Sequence, residues 1–188
     1  ADLVIRNVGM LDVITGAVTT TDIAIVADRI VGTHARYEGK TEIDGTGRFA
    51  VPGFIDTHLH IESSLVTPLE FDRCVLPHGV TTVLCDPHEI ANVCGLPGVE
   101  FMIRNGKTVP FYFNFGAPSC VPATTFETAG AALGIDQVEE LLKKDEMVYL
   151  SEMMNFPGVL HKDPQVIAKI AVAHALDKPV DGHAPGLR

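Results

Sequence analysis

From Val51 onward the chain alternates short β-rich runs with helix-compatible stretches, and this rhythm constrains the fold more than any other feature of the sequence. The strand candidates are residues 49–57, 80–86, 109–115, 147–151 and 178–182, and the helix candidates between them are 68–76, 98–104, 136–144 and 164–176. In the last of these, Val166, Ile167, Ile170, Ala171, Ala173 and Ala175 are spaced for one face of a helix. Asp163-Pro164 just before it supplies an N-cap and a proline suited to the first helical position. Strands that alternate with helices imply a parallel sheet joined by right-handed crossovers, an α/β fold. Residues 1–50 read differently. The runs LVIRNVGMLDV, DIAIVADRIVGT and TEIDGTGRFA are β-rich, are broken at Thr15-Gly16, Gly45 and Gly47, and carry no helical period.

In parallel α/β folds ligands bind at the C-terminal ends of the strands. Residues able to hold a metal should therefore collect where the strand candidates stop. The first ends in VPGFIDTHLH, where His58 and His60, two apart on an extended strand, project from one face. Asp56 lies on that face one step earlier, placed to orient a ligand. The second ends in Asp86, His88 and Glu89, the fourth in Glu152, and the fifth in Asp181 and His183. The third, FGAPSCVP, offers few ligands. His34, His78, His161 and His174 fall elsewhere and read as surface or structural residues. Imidazole and carboxylate without cysteine suit Zn²⁺, Mn²⁺ or Fe²⁺. A carboxylate from a neighbouring strand can bridge two such ions about 3.5–4 Å apart. That chemistry serves hydrolysis of an amide, amidine or ester-like carbon. The sequence holds no GxGxxG, no P-loop and no Gly-x-Ser-x-Gly elbow.

The formal net charge of −10 over 188 residues, with no basic cluster, argues against nucleic acid and anionic membrane surfaces as partners. No apolar run approaches the roughly 20 residues that span a bilayer, and the N-terminus lacks the shape of a signal peptide. Cys74, Cys85, Cys94 and Cys120 form no CxxC pair, so reduced thiols in a cytoplasmic protein are expected, with Cys85 in the core.

Five linked segments carry a resemblance: HLHIESS at 58–64, CDPHEIANV at 85–93, SCVPAT at 119–124, SEMMNFPGV at 151–159 and DGHAPGL at 181–187. Together they resemble the adenine deaminase family of the amidohydrolase superfamily, over nearly the whole chain. The resemblance implies a partial (β/α)8 TIM-like barrel, about five of eight strands over residues 51–188, preceded by an N-terminal β-sandwich segment at 1–50. It implies that His58, His60, Glu152 and His183 bind a divalent and binuclear metal centre (Mn²⁺ or Fe²⁺, with Zn²⁺ as an alternative), Glu152 bridging. It implies that Asp86, His88 and Glu89 are catalytic residues that also line the pocket for adenine, Glu89 handling protons on the purine ring. The resemblance further implies that the small-molecule substrate becomes hypoxanthine and ammonia and that the full-length enzyme is a homo-oligomer. The family's sixth-strand histidine and eighth-strand aspartate have no counterpart in these residues, so the 188 residues are expected to be the N-terminal portion of the enzyme and inactive alone. Two alternatives stand beside this: a related hydrolase of another cyclic amidine or amide, and a non-catalytic truncated module.

Overall fold

A computed structural model describes residues 1–124 and 126–186. The chain divides into two compact units, Ala1–Pro52 and Gly53–Arg188.

The first unit is one sheet. Its strands are β1 (Leu3–Leu11), β2 (Val18–Val26), β3 (Arg29–Gly32), β4 (Thr41–Asp44) and β5 (Phe49–Ala50), in the order β3-β2-β1-β4 with β5 also pairing β1. Val4, Val8, Ile23 and Ala24 are its buried apolar residues. The β1–β2 register slips between Ile5 and Val8, and Asn7 in that bulge has φ +51°. Asp22 on β2 holds the bulge through the Asn7 amide (3.1 Å) and the Arg6 guanidinium (2.7 Å), and Glu42 on β4 takes the other side of Arg6. As the sequence leads one to expect, no helix occurs among the described residues of this unit.

The second unit is a five-stranded parallel sheet with helical crossovers. β6 (Phe54–Leu59), β7 (Val80–Cys85), β8 (Tyr112–Pro118), β9 (Met147–Met153) and β10 (Val180–Gly182) lie side by side in chain order. The helices are α1 (Pro68–Val75), α2 (His88–Cys94), α3 (Leu96–Gly106), α4 (Ile135–Leu142), α5 (Phe156–Leu160) and α6 (Pro164–Ala175). The α/β class and the five-stranded parallel half-barrel match the expectation from sequence. Asp163 caps α6 as its type predicts, accepting from the amides of Gln165 (2.9 Å) and Val166 (3.2 Å).

Between sheet and helices lies the core, with Val83, Val99, Phe115, Val138, Leu141, Leu142, Met147, Leu150 and Ala173 buried. Burying side chains the size of leucine contributes about 1.5–3 kcal/mol each. β9 is buried along nearly its whole length, the pattern of a central parallel strand. Where β8 and β9 cross, there is no room for a side chain at Gly116, because a Cβ there would lie 2.4 Å from the Ser151 Cβ. All four cysteines are free, with Cys85 and Cys120 buried.

Two features differ from the sequence reading. The run 49–57 is not one strand: Phe49–Ala50 pairs with β1, and β6 starts afresh at Phe54, after Pro52-Gly53 interrupts the ladder. The helices α2 and α5 were not expected, since seven and five residues are too short to display a period. Among the described residues no helix is long and apolar enough to cross a membrane.

Candidate active site

The C-terminal ends of four strands meet at one carboxylate. Glu152 sits near the end of β9, buried, at φ +31°. Against β10, Leu150 pairs with Val180 and Met153 with Gly182, so β9 spends one extra residue there. Against β8 the pairing stops at Ser151. Glu152 thus falls in a β-bulge, a device that re-aims a side chain at the price of backbone strain. A non-glycine residue in this region costs about 1–3 kcal/mol. The carbonyl of Glu152 accepts instead from Ser119 Oγ, at 3.0 Å, just beyond β8.

Three histidines from the ends of β6 and β10 approach the Glu152 carboxylate. His183 Nε2 is 2.8 Å from Oε1, His60 Nε2 is 3.2 Å from Oε2, and His58 Nε2 is 3.8 Å from Oε1. From the end of β7, His88 Nδ1 comes within 3.4 Å of Oε2 and 2.9 Å of Asp86 Oδ2. All four residues assigned to metal from sequence, His58, His60, Glu152 and His183, are therefore drawn together, and Asp86 and His88 stand with them. Ligand atoms of His60, Asp86, His88 and Glu152 lie within 4.8 Å of one another.

The hydrogen bonds fix how two of the rings present themselves. His60 Nδ1 faces the Asp86 carbonyl at 2.9 Å. A carbonyl only accepts, so Nδ1 carries a hydrogen and donates, and the ring turns Nε2 towards Glu152. His58 repeats the pattern, with Nδ1 at 3.2 Å from Asp181 Oδ2 and Nε2 towards Glu152. At 3.2 Å, the contact of His60 Nε2 with a carboxylate oxygen calls for a proton or a cation between them. Two further atoms press the same demand. Asp86 Oδ1 and Glu152 Oε2 are buried without a hydrogen bond, and a buried polar atom left without one is costly. The donor set of imidazoles and carboxylates, gathered around one point, fits a divalent cation. Burial disfavours charge on His88, but its bond to Asp86 and the carboxylates of Glu152 and Glu89 outweigh this and hold its pKa above the usual histidine value.

Glu89, grouped with Asp86 and His88 in the sequence reading, is placed apart. It lies in the first turn of α2 and its carboxylate accepts from Ser63 Oγ, 2.6 and 2.5 Å from its two oxygens. Asp56 does not orient an imidazole. Its Oδ1 accepts from the His58 backbone amide at 3.2 Å, and the carboxylate that meets the ring is Asp181, from the opposite end of the sheet. Sequence reasoning gave no role to Glu62 or Ser119. Glu62 Oε1 accepts from the Ile90 amide at 3.0 Å while Oε2 is buried and unpaired. Burial, together with nearby Glu89 and Asp86, pushes the Glu62 carboxyl above its ordinary range. The only signal for either lay in their places within the IESS and SCVPAT segments.

A parallel half-barrel that gathers histidines and carboxylates at its strand ends is the class of architecture this site defines. The chain belongs to the amidohydrolase family, whose model matches residues 49–188. An adenine deaminase of Cereibacter sphaeroides is 53% identical over all of this chain and 33% of its own length. One from Gluconobacter oxydans is 53% identical over 98% of this chain and 32% of its own, and adenine deaminase 1 of Rhizobium johnstonii is 54% identical over 98% and 32%. The chain thus spans about a third of the length of the curated relatives it matches. Among solved structures, a D-aminoacylase superposes with a TM-score of 0.66 at 18% identity, covering 97% of this chain and 45% of that one. An atrazine chlorohydrolase from Arthrobacter aurescens, complexed with zinc, gives 0.63 at 17%, covering 95% and 52%. These two share the fold.

Proposed function

We propose that this chain supplies metal-holding and substrate-facing parts of an enzyme that deaminates adenine hydrolytically. Water adds oxygen at C6 of the purine, the C6–N bond breaks, and hypoxanthine and ammonia leave. The observation that carries the substrate is the 53% identity to adenine deaminases along the whole of this chain. The site geometry is compatible with it. His58, His60, Glu152 and His183 would hold the metal, with Glu152 bridging a pair of ions of which Mn²⁺ or Fe²⁺ is favoured over Zn²⁺. What the metal supplies when bound is positive charge that offsets the buried carboxylates and lowers the pKa of a water. The Asp86 carbonyl and the Asp181 carboxylate fix the tautomers of His60 and His58, so that both turn Nε2 to the centre. Asp86 and His88 border the centre on the β7 side, where the purine would enter. Glu89, outside the histidine cluster and held by Ser63, is the residue assigned to pass a proton to the exocyclic amine. The whole protein is read as a cytoplasmic homo-oligomer.

The test is conversion of adenine to hypoxanthine, followed chromatographically, in the whole protein that contains these residues, loaded in turn with Mn²⁺, Fe²⁺ and Zn²⁺. Turnover of adenine, lowered about 10²- to 10⁴-fold in Glu89→Gln, is the expected result. Metal binding without turnover of adenine, but with turnover of another cyclic amidine, would replace the substrate and keep the reaction class. The 188 residues alone are expected to leave adenine unchanged.

A further inference from the structure

We propose that Lys169 is a positioning residue for Glu152 and that it acts through Ser119. Lys169 lies on α6, in the helical layer, and its side chain is partly buried. Its Nζ donates to the carbonyls of Ser119 (2.6 Å) and Leu133 (2.9 Å), and it forms no ion pair with a carboxylate among the described residues. A buried ammonium is costly unless its charge has a purpose or a partner, and here all of it is spent on the backbone beyond β8. Ser119 is itself buried, and its hydroxyl donates to the Glu152 carbonyl at 3.0 Å. Glu152 pairs with neither neighbouring strand and holds a left-handed φ of +31°. Sheet hydrogen bonds therefore do not set the direction of its side chain. The tether from Ser119 does, and Lys169 fixes the tether. A strained backbone persists only where its surroundings over-determine it, and this relay supplies the determination on the β8 side.

The second unit contains its own comparison. Lys178 also places Nζ among backbone carbonyls, those of Leu142, Lys144 and Met147, the last at the N-terminal start of β9. It performs the same structural task at the other end of the strand that carries Glu152. If Lys169 merely satisfied carbonyls, loss of either lysine would have the same consequences.

The inference rests on the reading of Glu152 as a metal-holding carboxylate. The experiment is calorimetric titration of the whole protein that contains these residues with Mn²⁺ alone, beside thermal melts of the metal-free proteins. Lys169→Met and Ser119→Ala are each expected to weaken Mn²⁺ binding about 10- to 100-fold, the usual consequence of losing a partner that orients a ligand. Because the two act in series, the double variant should bind no more weakly than the weaker single one. Lys178→Met should melt earlier, as Lys169→Met does, yet bind Mn²⁺ like the parent chain. Should Lys169→Met fail to melt cooperatively, Lys169→Gln, which keeps an uncharged NH₂ donor group on a shorter side chain, takes its place, and an intermediate affinity is expected. Unchanged affinity in the Lys169 and Ser119 variants, or equal weakening in Lys178→Met, would overturn the proposal. Absence of Mn²⁺ binding by the parent chain would instead overturn the metal reading of Glu152, and this proposal with it.

Discussion

Glu152 combines the properties of a residue kept for chemistry at a cost in stability. Its backbone is left-handed, its carboxylate is buried, and one oxygen has no hydrogen-bond partner. Relief of the strain and loss of the carboxylate can be separated by two substitutions. In left-handed backbone a Cβ costs roughly 1–2 kcal/mol that glycine avoids. Glu152→Gly should therefore unfold at higher denaturant than Glu152→Ala, by about 1 kcal/mol, and urea melts of the two variants decide it. The reverse order would mean that the bulge relaxes once the carboxylate is gone. Both variants should lose Mn²⁺ affinity alike, since both lack the oxygens. Sequence made the histidines legible because two imidazoles two residues apart on a strand must share a face. It could not display Ser119 or Asp181 as partners, since each acts on a residue more than thirty positions away. Asp56 misled for the same reason: the local alternation of a strand says which face a carboxylate takes, and here the nearest donor was a backbone amide.

At the scale of the elements, the position of each strand end decides the site, and strand ends are where local pattern is weakest. The apolar runs gave the existence and order of the five parallel strands. They missed that β8 runs on to Pro118 and β9 to Met153, because the last residues of both are small or polar and are held by cross-strand contacts. Ser151 Oγ, for example, donates to the Ala117 carbonyl at 3.0 Å. The closeness of β8 and β9 gives a direct test. Gly116→Ala would place a methyl group 2.4 Å from the Ser151 Cβ and 2.6 Å from the Tyr149 ring, both on the neighbouring strand β9. Overpacking of this kind costs about 1–3 kcal/mol, and the shift should pass along β9 to Glu152. Chemical denaturation should show the loss, and weaker Mn²⁺ binding should accompany it. Equal stability of Gly116→Ala and the parent would mean the strands separate more easily than their buried side chains imply. In the first unit the corresponding fastening is ionic. Hydrogen bonds from the Asn7 amide and from Arg6 lower the Asp22 carboxyl below its ordinary value, and Arg6 foremost lowers that of Glu42. A depressed carboxylate stabilises the fold above its unfolded pKa and stops doing so as pH falls through the folded one. Acidification from about pH 5 to about pH 2 should therefore loosen β1, β2 and β4 in the parent, and much less in Arg6→Met. Hydrogen exchange of peptides from these strands at each pH measures it, and equal acid sensitivity in both proteins would remove Arg6 from the account.

For the molecule as a whole, the division into two units sets what metal can and cannot stabilise. Glu152, at the end of β9, and the histidines that converge on it from the ends of β6, β7 and β10 belong to four strands of one sheet, and among the described residues none of them comes from 1–52. In sequence they span His58 to His183. An ion held by them closes contacts between segments far apart in the chain, which the unfolded state cannot reproduce. Ligand that binds only the folded state stabilises it by about 2.7 kcal/mol at a hundredfold excess over Kd. Added Mn²⁺ should accordingly slow hydrogen exchange in peptides covering β6, β7, β9 and β10, and a chelator should restore the faster rate. Peptides covering β1 to β4 should exchange at the same rate in both conditions. The ligand atoms of His60, Asp86, His88 and Glu152 gather at the C-terminal ends of the strands, so protection should be greatest there and fade towards their N-terminal ends. Protection rising equally in both units would mean that they unfold as one. Protection absent from both would mean that the lone pairs around Glu152 are satisfied by protons, and that the site holds no ion.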